Sequence, residues 1–507
     1  MLFMNLITSK HDLNSYYCTW SSQADLGALY PKRSDNPVTA MRDMLCEETV
    51  FGENGLIHQF PEIRSSLFFL FDDGWDVPYG LTDNDNGDFG SLIVNEERFP
   101  FCDGEPQERL KKLADRVRSF GWKGTGIWVC ASGKGEKNGA LFSPEVREAY
   151  WRERLRWSRY AGIAYWKVDW GCYCNSVEFR ALLNRLKEEE YPTLIIEHAG
   201  VCGPLSGIAQ NDFSAEQSGR FWDWEERPQE WGKLCGFSDV IRTYDVSPHL
   251  SVPTTLDRVQ SLLRLGECMK SQTVVNGEDE QYICAALGLE IGIMRNQLKD
   301  TVGVPFHKNS TEAIRAVRWL TAFAPPYPIG VGAVRFGRHI LTDSFNFHGS
   351  DCWISCYGDR EIPQAAPSLI ARNCYQPQVE YLSDEKPFVA VSMHPNEATS
   401  VAVLPRFSKE RGMVTSPVKI RLAQRLHNPF TGVFGKMAEL TLVYDGDISA
   451  KRVFAQDLAA DTAEEITDVC AVDGREITVS GAVLERIGTS ANTDGDNSAP
   501  GLVITLI

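Results

Sequence analysis

From about residue 60 to about 325 the chain alternates short apolar runs with amphipathic stretches, and this alternation restricts the fold more than any other feature. Ser66–Phe71 (SLFFLF), Gly124–Cys130 (GTGIWVC), Ala164–Val168, Thr193–Glu197 (TLIIE), Val240–Thr243 and Gln272–Asn276 (QTVVN) read as strands. They are too continuously apolar for a sheet with one wet face, so they read as parallel strands covered on both sides. Pro106–Phe120, Pro144–Tyr160, Val177–Glu190 and Thr255–Cys268 carry charged faces and read as the helices between them. Ser143 before Pro144 has the form of an N-cap followed by a first-turn proline. Units recurring at roughly 30–50 residues are the βαβ pattern of a barrel or a doubly wound sheet. The segment SYYCTW, ending at Trp20, supplies a first strand; no segment stands out as an eighth.

Near Pro325–Pro328 the helical pattern stops. Beyond about residue 335 come short β-like runs separated by turns and prolines. They are Ser400–Leu404 (SVAVL), Val418–Leu422 (VKIRL), Leu440–Tyr444 (LTLVY), Glu476–Ser480 (EITVS) and Leu502–Leu506 (LVITL), with Thr489–Pro500 as a loop. The division expected is a (β/α)8 TIM-type barrel over 1–330 and an all-β sandwich over 331–507. The 507 residues suffice for both.

Composition excludes several roles. A net charge of −17 argues against nucleic acid or an anionic membrane as partner. No apolar run reaches the 18 or so residues of a membrane span, and the N-terminus lacks the cationic lead and cleavage site of a secretory signal. Fourteen Cys show no framework spacing, and the Cys172–Cys174 pair has no matching pair elsewhere, so reduced thiols in a cytoplasmic protein are expected and zinc is not. Gly133-Lys134-Gly135 lacks the flanking residues of a phosphate loop. Thr82–Asp88 has calcium-like acidic spacing, but counted from Asp83 the twelfth position is Val94, not the bidentate Glu such a loop requires. No metal or cofactor is therefore expected; self-association is left open.

Charged residues gather where the strands end. Asp72 and Asp73 follow SLFFLF, Lys167 and Asp169 close the fourth strand in YWKVDWG, and Glu197 ends TLIIE with His198 behind it. Arg242 and Asp245 end the sixth strand in IRTYD. Barrels keep their chemistry on this face. Lys167 and Asp169 are two residues apart and share a strand face. Two carboxylates flanking a point, with further acids and a lysine to grip hydroxyls, suit glycoside hydrolysis. One carboxylate attacks the anomeric carbon and a protonated second one supplies the leaving oxygen with its proton. Trp20, Trp75 or Trp128 would then cover an apolar sugar face.

Taken in order, these segments resemble the α-galactosidase clan of retaining glycosidases, and within it the lysosomal-type α-galactosidase and α-N-acetylgalactosaminidase family. YCTWSSQ is similar to the family's first-strand segment, which implies Trp20 as a substrate-facing residue. FDDGW resembles its Asp-Asp-x-Trp motif, which implies Asp72 and Asp73 as ligands of the O4 and O6 side of the sugar. KVD resembles the Lys-x-Asp motif, implying Lys167 as a hydroxyl ligand and Asp169 as nucleophile. IIEH implies Glu197 facing the 2-hydroxyl, and RTYD implies Arg242 beside that position with Asp245 as acid/base and Asp239 as the alternative. A disulfide from Cys172, with Cys130 as a candidate partner, is implied as well. The insert Glu216–Trp231, with Trp222 and Trp224, is unlike typical members and either shapes a leaving-group subsite or packs its own loop. The implied activity is release of a terminal α-linked galactose-type residue from an oligosaccharide or glycoside. Alternatives are a β-L-arabinopyranosidase, an α-N-acetylgalactosaminidase, or a carbohydrate-binding protein without turnover.

Overall fold

The computed structural model describes residues 4–8, 10–26, 34–137, 140–174, 176–199, 228–243, 249–294, 310–347 and 360–507. Eight parallel strands form its first sheet: β1 (Tyr16–Cys18), β2 (Phe68–Phe71), β3 (Gly124–Val129), β4 (Ile163–Val168), β5 (Ile195–Ala199), β6 (Val240–Arg242), β7 (Val274–Asn276) and β8 (Gly292–Ile293). They pair in sequence order from β1 to β7, with β8 against the other edge of β1. A parallel bridge between Asn276 and Glu290 closes the ring, with Gly277 N donating to Glu290 O at 3.1 Å and Glu290 N to Val275 O at 2.9 Å. The expected (β/α)8 barrel is present, and its eighth strand has only two residues.

Helices lie where the charged stretches predict them. Pro144–Ala161 starts at Ser143, whose side chain accepts from Val146 N, and stops at Gly162 in the left-handed region with φ +70°. Val177–Glu190 is capped by Ser176 in the same way. Side-chain parity then divides each strand. Tyr17, Phe69, Phe71, Ile127, Val129, Trp166, Val168, Ile196, Ile241 and Val275 join the helices in one large apolar core. The alternate residues Tyr16, Cys18, Phe68, Leu70 and Tyr165 form a smaller cluster inside the ring. Gly124 and Gly126 leave it room: a Cβ on Gly126 would stand 3.2 Å from both Leu70 and Tyr165.

After the helix Ser310–Ala322 the chain is almost all strand. One sheet has eight strands, running from Val334–Phe336 to Glu464–Glu465, and a second has five. Between them lies a core of Val389, Val391, Val401, Val403, Leu502 and Ile504 from the first sheet and Ile420, Leu440, Leu442, Ile477 and Val479 from the second. The larger sheet is apolar on its other face too: Phe388, Ala390, Ala402, Leu404, Phe434 and Val503 belong to the barrel's core cluster. This is a sandwich whose outer sheet face is buried against helices. The helix Gly481–Gly488 has no counterpart in the sequence reading.

Glu290, at the closure of the ring, is fully buried with Ser15 Oγ at 2.5 Å and Asn14 N at 3.0 Å. Burial pushes its carboxyl up to about 7. A raised carboxyl keeps its proton in the folded chain while the unfolded chain has lost it. Its contribution to stability is therefore complete below the ordinary carboxylate range and is lost as pH rises to about 7. Glu290→Gln holds the neutral form permanently. Thermal unfolding at pH 8 is expected to show the variant more stable than wild type by roughly 3 kcal/mol, with the gap closing towards pH 4.5. A gap independent of pH would contradict this account.

Candidate active site

The inward parity of the strands carries the charged residues as well. Trp128, Lys167 and Glu197 are on the same interior positions as Leu70 and Tyr165, one layer nearer the carboxyl ends, and Arg242, opposite Ala199, is one layer further still. Register brings them side by side: Trp128 pairs with Lys167, Lys167 with Glu197, and Arg242 with Asn276. Asp72 and Asp169 continue the parity one step beyond β2 and β4.

Two ion-pair centres result. In the first, Lys167 Nζ stands 2.7 Å from Asp72 Oδ2, and Cys18 Sγ donates to the same oxygen at 3.0 Å. Burial works to raise the Asp72 carboxyl, but the charge and hydrogen bond of Lys167 outweigh it and leave it below the ordinary range. Asp72 is thus a carboxylate beside an ammonium, with almost no water. The Cys18 thiol is pushed well up by burial and by Asp72, so it stays protonated.

The second centre is Arg242, which has no solvent exposure. Its Nη1 donates to Glu278 Oε1 at 2.9 Å, its Nη2 lies 3.1 Å from Asp169 Oδ1, and its Nε lies 3.5 Å from Glu197 Oε1. Asp169 also accepts from Trp128 Nε1 on Oδ2 at 3.1 Å. Of Asp169, Glu197 and Glu278, Asp169 is the least buried, at 7% exposure. Trp170 follows it and packs on Trp128, with ring centroids 5.5 Å apart. Gly171 then turns the chain at φ +144°, where a Cβ would stand 2.7 Å from Ala131 C. Only glycine lets the segment after Asp169 lie this close to the end of β3.

Several expected ligands are engaged within the protein. Glu197 is wholly buried and accepts from Tyr16 OH at 3.0 Å, Tyr165 OH at 2.7 Å and Asn276 Nδ2 at 2.7 Å. Burial, and then Glu197 itself, hold both phenols far above their ordinary range, so they remain donors. Asp73 is clamped by Arg42, Nε on Oδ1 at 3.0 Å and Nη2 on Oδ2 at 2.7 Å. Trp75 is fully buried and donates to Trp128 O at 3.0 Å, so it covers no ligand. Trp20 opens the helix Trp20–Leu26 at 7% exposure and belongs to the interior cluster with Leu70 and Met294.

Other expectations are corrected. Asp239 is at the amino end of β6, away from the strand's carboxyl end, and takes Lys187 Nζ at 2.9 Å and Ile196 N at 2.9 Å. It holds the bottom of the barrel and is no alternative to Asp245. Cys130 and Cys172 are both free thiols, so the disulfide is absent. His198 faces outward, its nitrogens 3.1 Å from Arg180 Nη1 and 2.5 Å from Asn184 Nδ2. Burial, then Arg180 and Lys187, hold it well below its ordinary range, as a neutral packing group. Asp245, Trp222 and Trp224 lie outside the described residues. Among the described residues no His, Cys, Asp and Glu side chains group as they must to hold a metal ion.

Sequence reasoning missed Arg42, Cys18, Tyr16, Tyr165, Asn276 and Glu278. Parity is the signal for Tyr16, Cys18, Tyr165 and Asn276, which share the interior positions; Arg42 and Glu278 lie off the strands and have none.

No family model and no curated protein matches the chain. Among solved structures it is similar to α-galactosidase I from Mortierella vinacea, at 11% identity over 98% of this chain and 96% of that one, with a TM-score of 0.43. A family 27 β-L-arabinopyranosidase from Geobacillus stearothermophilus aligns at 10% identity over 91% and 92%, TM-score 0.39. An α-galactosidase from Saccharomyces cerevisiae aligns at 10% over 98% and 95%, TM-score 0.37.

The Arg42 clamp makes a stability prediction. Arg42→Met leaves the buried Asp73 charge unpaired, and chemical denaturation is expected to show a loss of about 3–5 kcal/mol. Lys111→Met, which breaks the exposed pair with Asp115, is expected to cost less than about 1 kcal/mol. Equal costs would show that Asp73 does not depend on its partner.

Proposed function

We propose that the protein is a retaining exo-glycosidase acting on terminal α-linked galactose-type residues. The observation that carries this reading is the setting of Asp169. It stands at the carboxyl end of β4, with one oxygen on an indole N–H and the other against a guanidinium, beside the Lys167–Asp72 pair. A carboxylate with one oxygen hydrogen-bonded and the other ion-paired has a preferred direction of attack.

In the proposed cycle Asp169 attacks the anomeric carbon while Asp245 gives its proton to the leaving oxygen. Water, deprotonated by Asp245, then opens the ester, and the sugar leaves with its configuration retained. Lys167 and Asp72 offer a donor and an acceptor on one side of the pocket, Asp72 through the lone pairs left beside its bonds to Lys167, Cys18 and Asp73 N, and an axial 4-hydroxyl and a 6-hydroxyl fill that side together. Trp20 and Trp170 border the sugar. Glu197 and Asp73 are more deeply engaged, Glu197 by Tyr16, Tyr165 and Asn276 and Asp73 by the two-pronged Arg42, and they support Arg242 and the segment after β2. The unpaired thiols suit a reducing compartment such as the cytoplasm.

A panel of nitrophenyl glycosides tests the reading. The α-galactoside is expected to be cleaved far faster than the α-glucoside, because a polar site rejects a sugar that leaves its buried groups unpaired. Proton NMR of the fresh product is expected to show the α-anomer first. Asp169→Asn is expected to fold and to lose at least about a thousandfold in kcat. Affinity without release from any glycoside, or a preference for the gluco sugar, would overturn it.

A further inference from the structure

Glu278 lies two residues beyond β7 and is buried, at 1% exposure, with its backbone in the left-handed region at φ +38°. A glutamate disfavours that conformation, and it persists only where its surroundings over-determine it. Here they close into a ring. Glu278 N donates to Asn276 Oδ1 at 2.9 Å, and Asn276 Nδ2 donates to Glu197 Oε2 at 2.7 Å. Glu197 Oε1 faces Arg242 Nε at 3.5 Å, and Arg242 Nη1 returns to Glu278 Oε1 at 2.9 Å. Among the described contacts, the guanidinium nitrogen directed away from this ring meets Asp169, Nη2 to Oδ1 at 3.1 Å. With Nη1 hydrogen-bonded to Glu278 and Nε ion-paired with Glu197, the planar guanidinium is oriented from two sides, which directs Nη2 at Asp169.

We propose that Glu278 is a positioning residue for Asp169, acting through Arg242. The strained backbone brings its carboxylate to Nη1, and the grip on Nη1 aims Nη2 at the attacking group. This rests on the glycosidase reading for its kinetic consequence, whereas the geometric consequence stands without it. The plainer role for Glu278 is to neutralise a buried cation. The two roles differ in what they need: neutralisation needs a negative charge nearby, and positioning needs an oxygen at the right reach.

Two variants separate them. Glu278→Asp keeps the charge and shortens the reach by one methylene; Glu278→Gly removes the carboxylate and releases the backbone strain, which protects folding. Crystal structures of both are expected to show Arg242 turned, with Nη2 more than about 4 Å from Asp169 Oδ1, beyond ion-pair range. On an α-galactoside, kcat is expected to fall about a hundredfold in each, with KM within about threefold of wild type, as for a small misplacement of a reacting group. An Arg242 that keeps its 3.1 Å contact in Glu278→Asp, or a Glu278→Asp enzyme with wild-type kcat, would overturn the proposal. So would a rise in KM at constant kcat, which marks a sugar ligand. If wild type cleaves no glycoside, the functional reading fails by itself, and the position of Arg242 in the two crystal structures still decides this inference.

Discussion

A guanidinium with no access to water, at the carboxyl end of a barrel, sets the terms for everything around it. An unpaired charge in that place costs too much to be tolerated, and even a paired one requires that the remaining polar atoms find partners. Among the described residues Arg242 therefore draws carboxylates from three directions, Asp169 after β4, Glu197 in β5 and Glu278 after β7. Glu197 in turn needs two phenols and an amide, which explains why Tyr16, Tyr165 and Asn276 occupy interior positions that aliphatic side chains fill elsewhere. Lys167 in β4 and Asp72 after β2 form a second such centre. The chemistry proposed for Asp169 follows from this pairing: of the three described carboxylates on Arg242 it is the one nearest the solvent.

The β-rich region is tied to the same place. The helix Gln281–Leu287 follows Glu278 by three residues, and the sandwich holds its end. Ser392 Oγ and Ser400 Oγ donate to Ala286 O at 2.6 and 2.9 Å. The buried Arg372 donates to Leu287 O at 2.6 Å and to Pro328 O at 2.6 Å. With no acid in those bonds, Arg372 serves as a cap for the carbonyls of that turn. The strained residue at the end of β7 is thereby anchored from both sides, by the barrel ring and by the larger sheet.

Seven barrel strands were legible, SYYCTW as the first and six more because parallel strands covered on both faces must be largely apolar, as SLFFLF is. The eighth was not, because Gly292–Ile293 is too short to carry a pattern and the ring closes through the backbone of Glu290. Strand-end charges were legible as a set, while their partners were not. Asp73 is held by Arg42, 31 positions earlier in a helix whose sequence gives no hint of it. Glu197 is legible as a strand-end acid, but not the phenols of β1 and β4 that donate to it. Asp239 sits at the amino end of β6, a distinction that depends on strand direction and that three residues of text do not convey. The sandwich was legible as strands, but both faces of its larger sheet are apolar, so the alternation that assigns an inner face was missing.

The central claim is that Asp169 forms a covalent bond to the sugar. A galactosyl fluoride bearing a 5-fluoro substituent slows both halves of a double displacement and lets the ester accumulate. After inactivation and proteolysis, mass spectrometry is expected to find the added sugar on the peptide containing Tyr165–Gly171, with fragmentation placing it on Asp169. Sugar attached to another carboxylate, or enzyme that turns over the analogue without ever carrying it, would contradict the account.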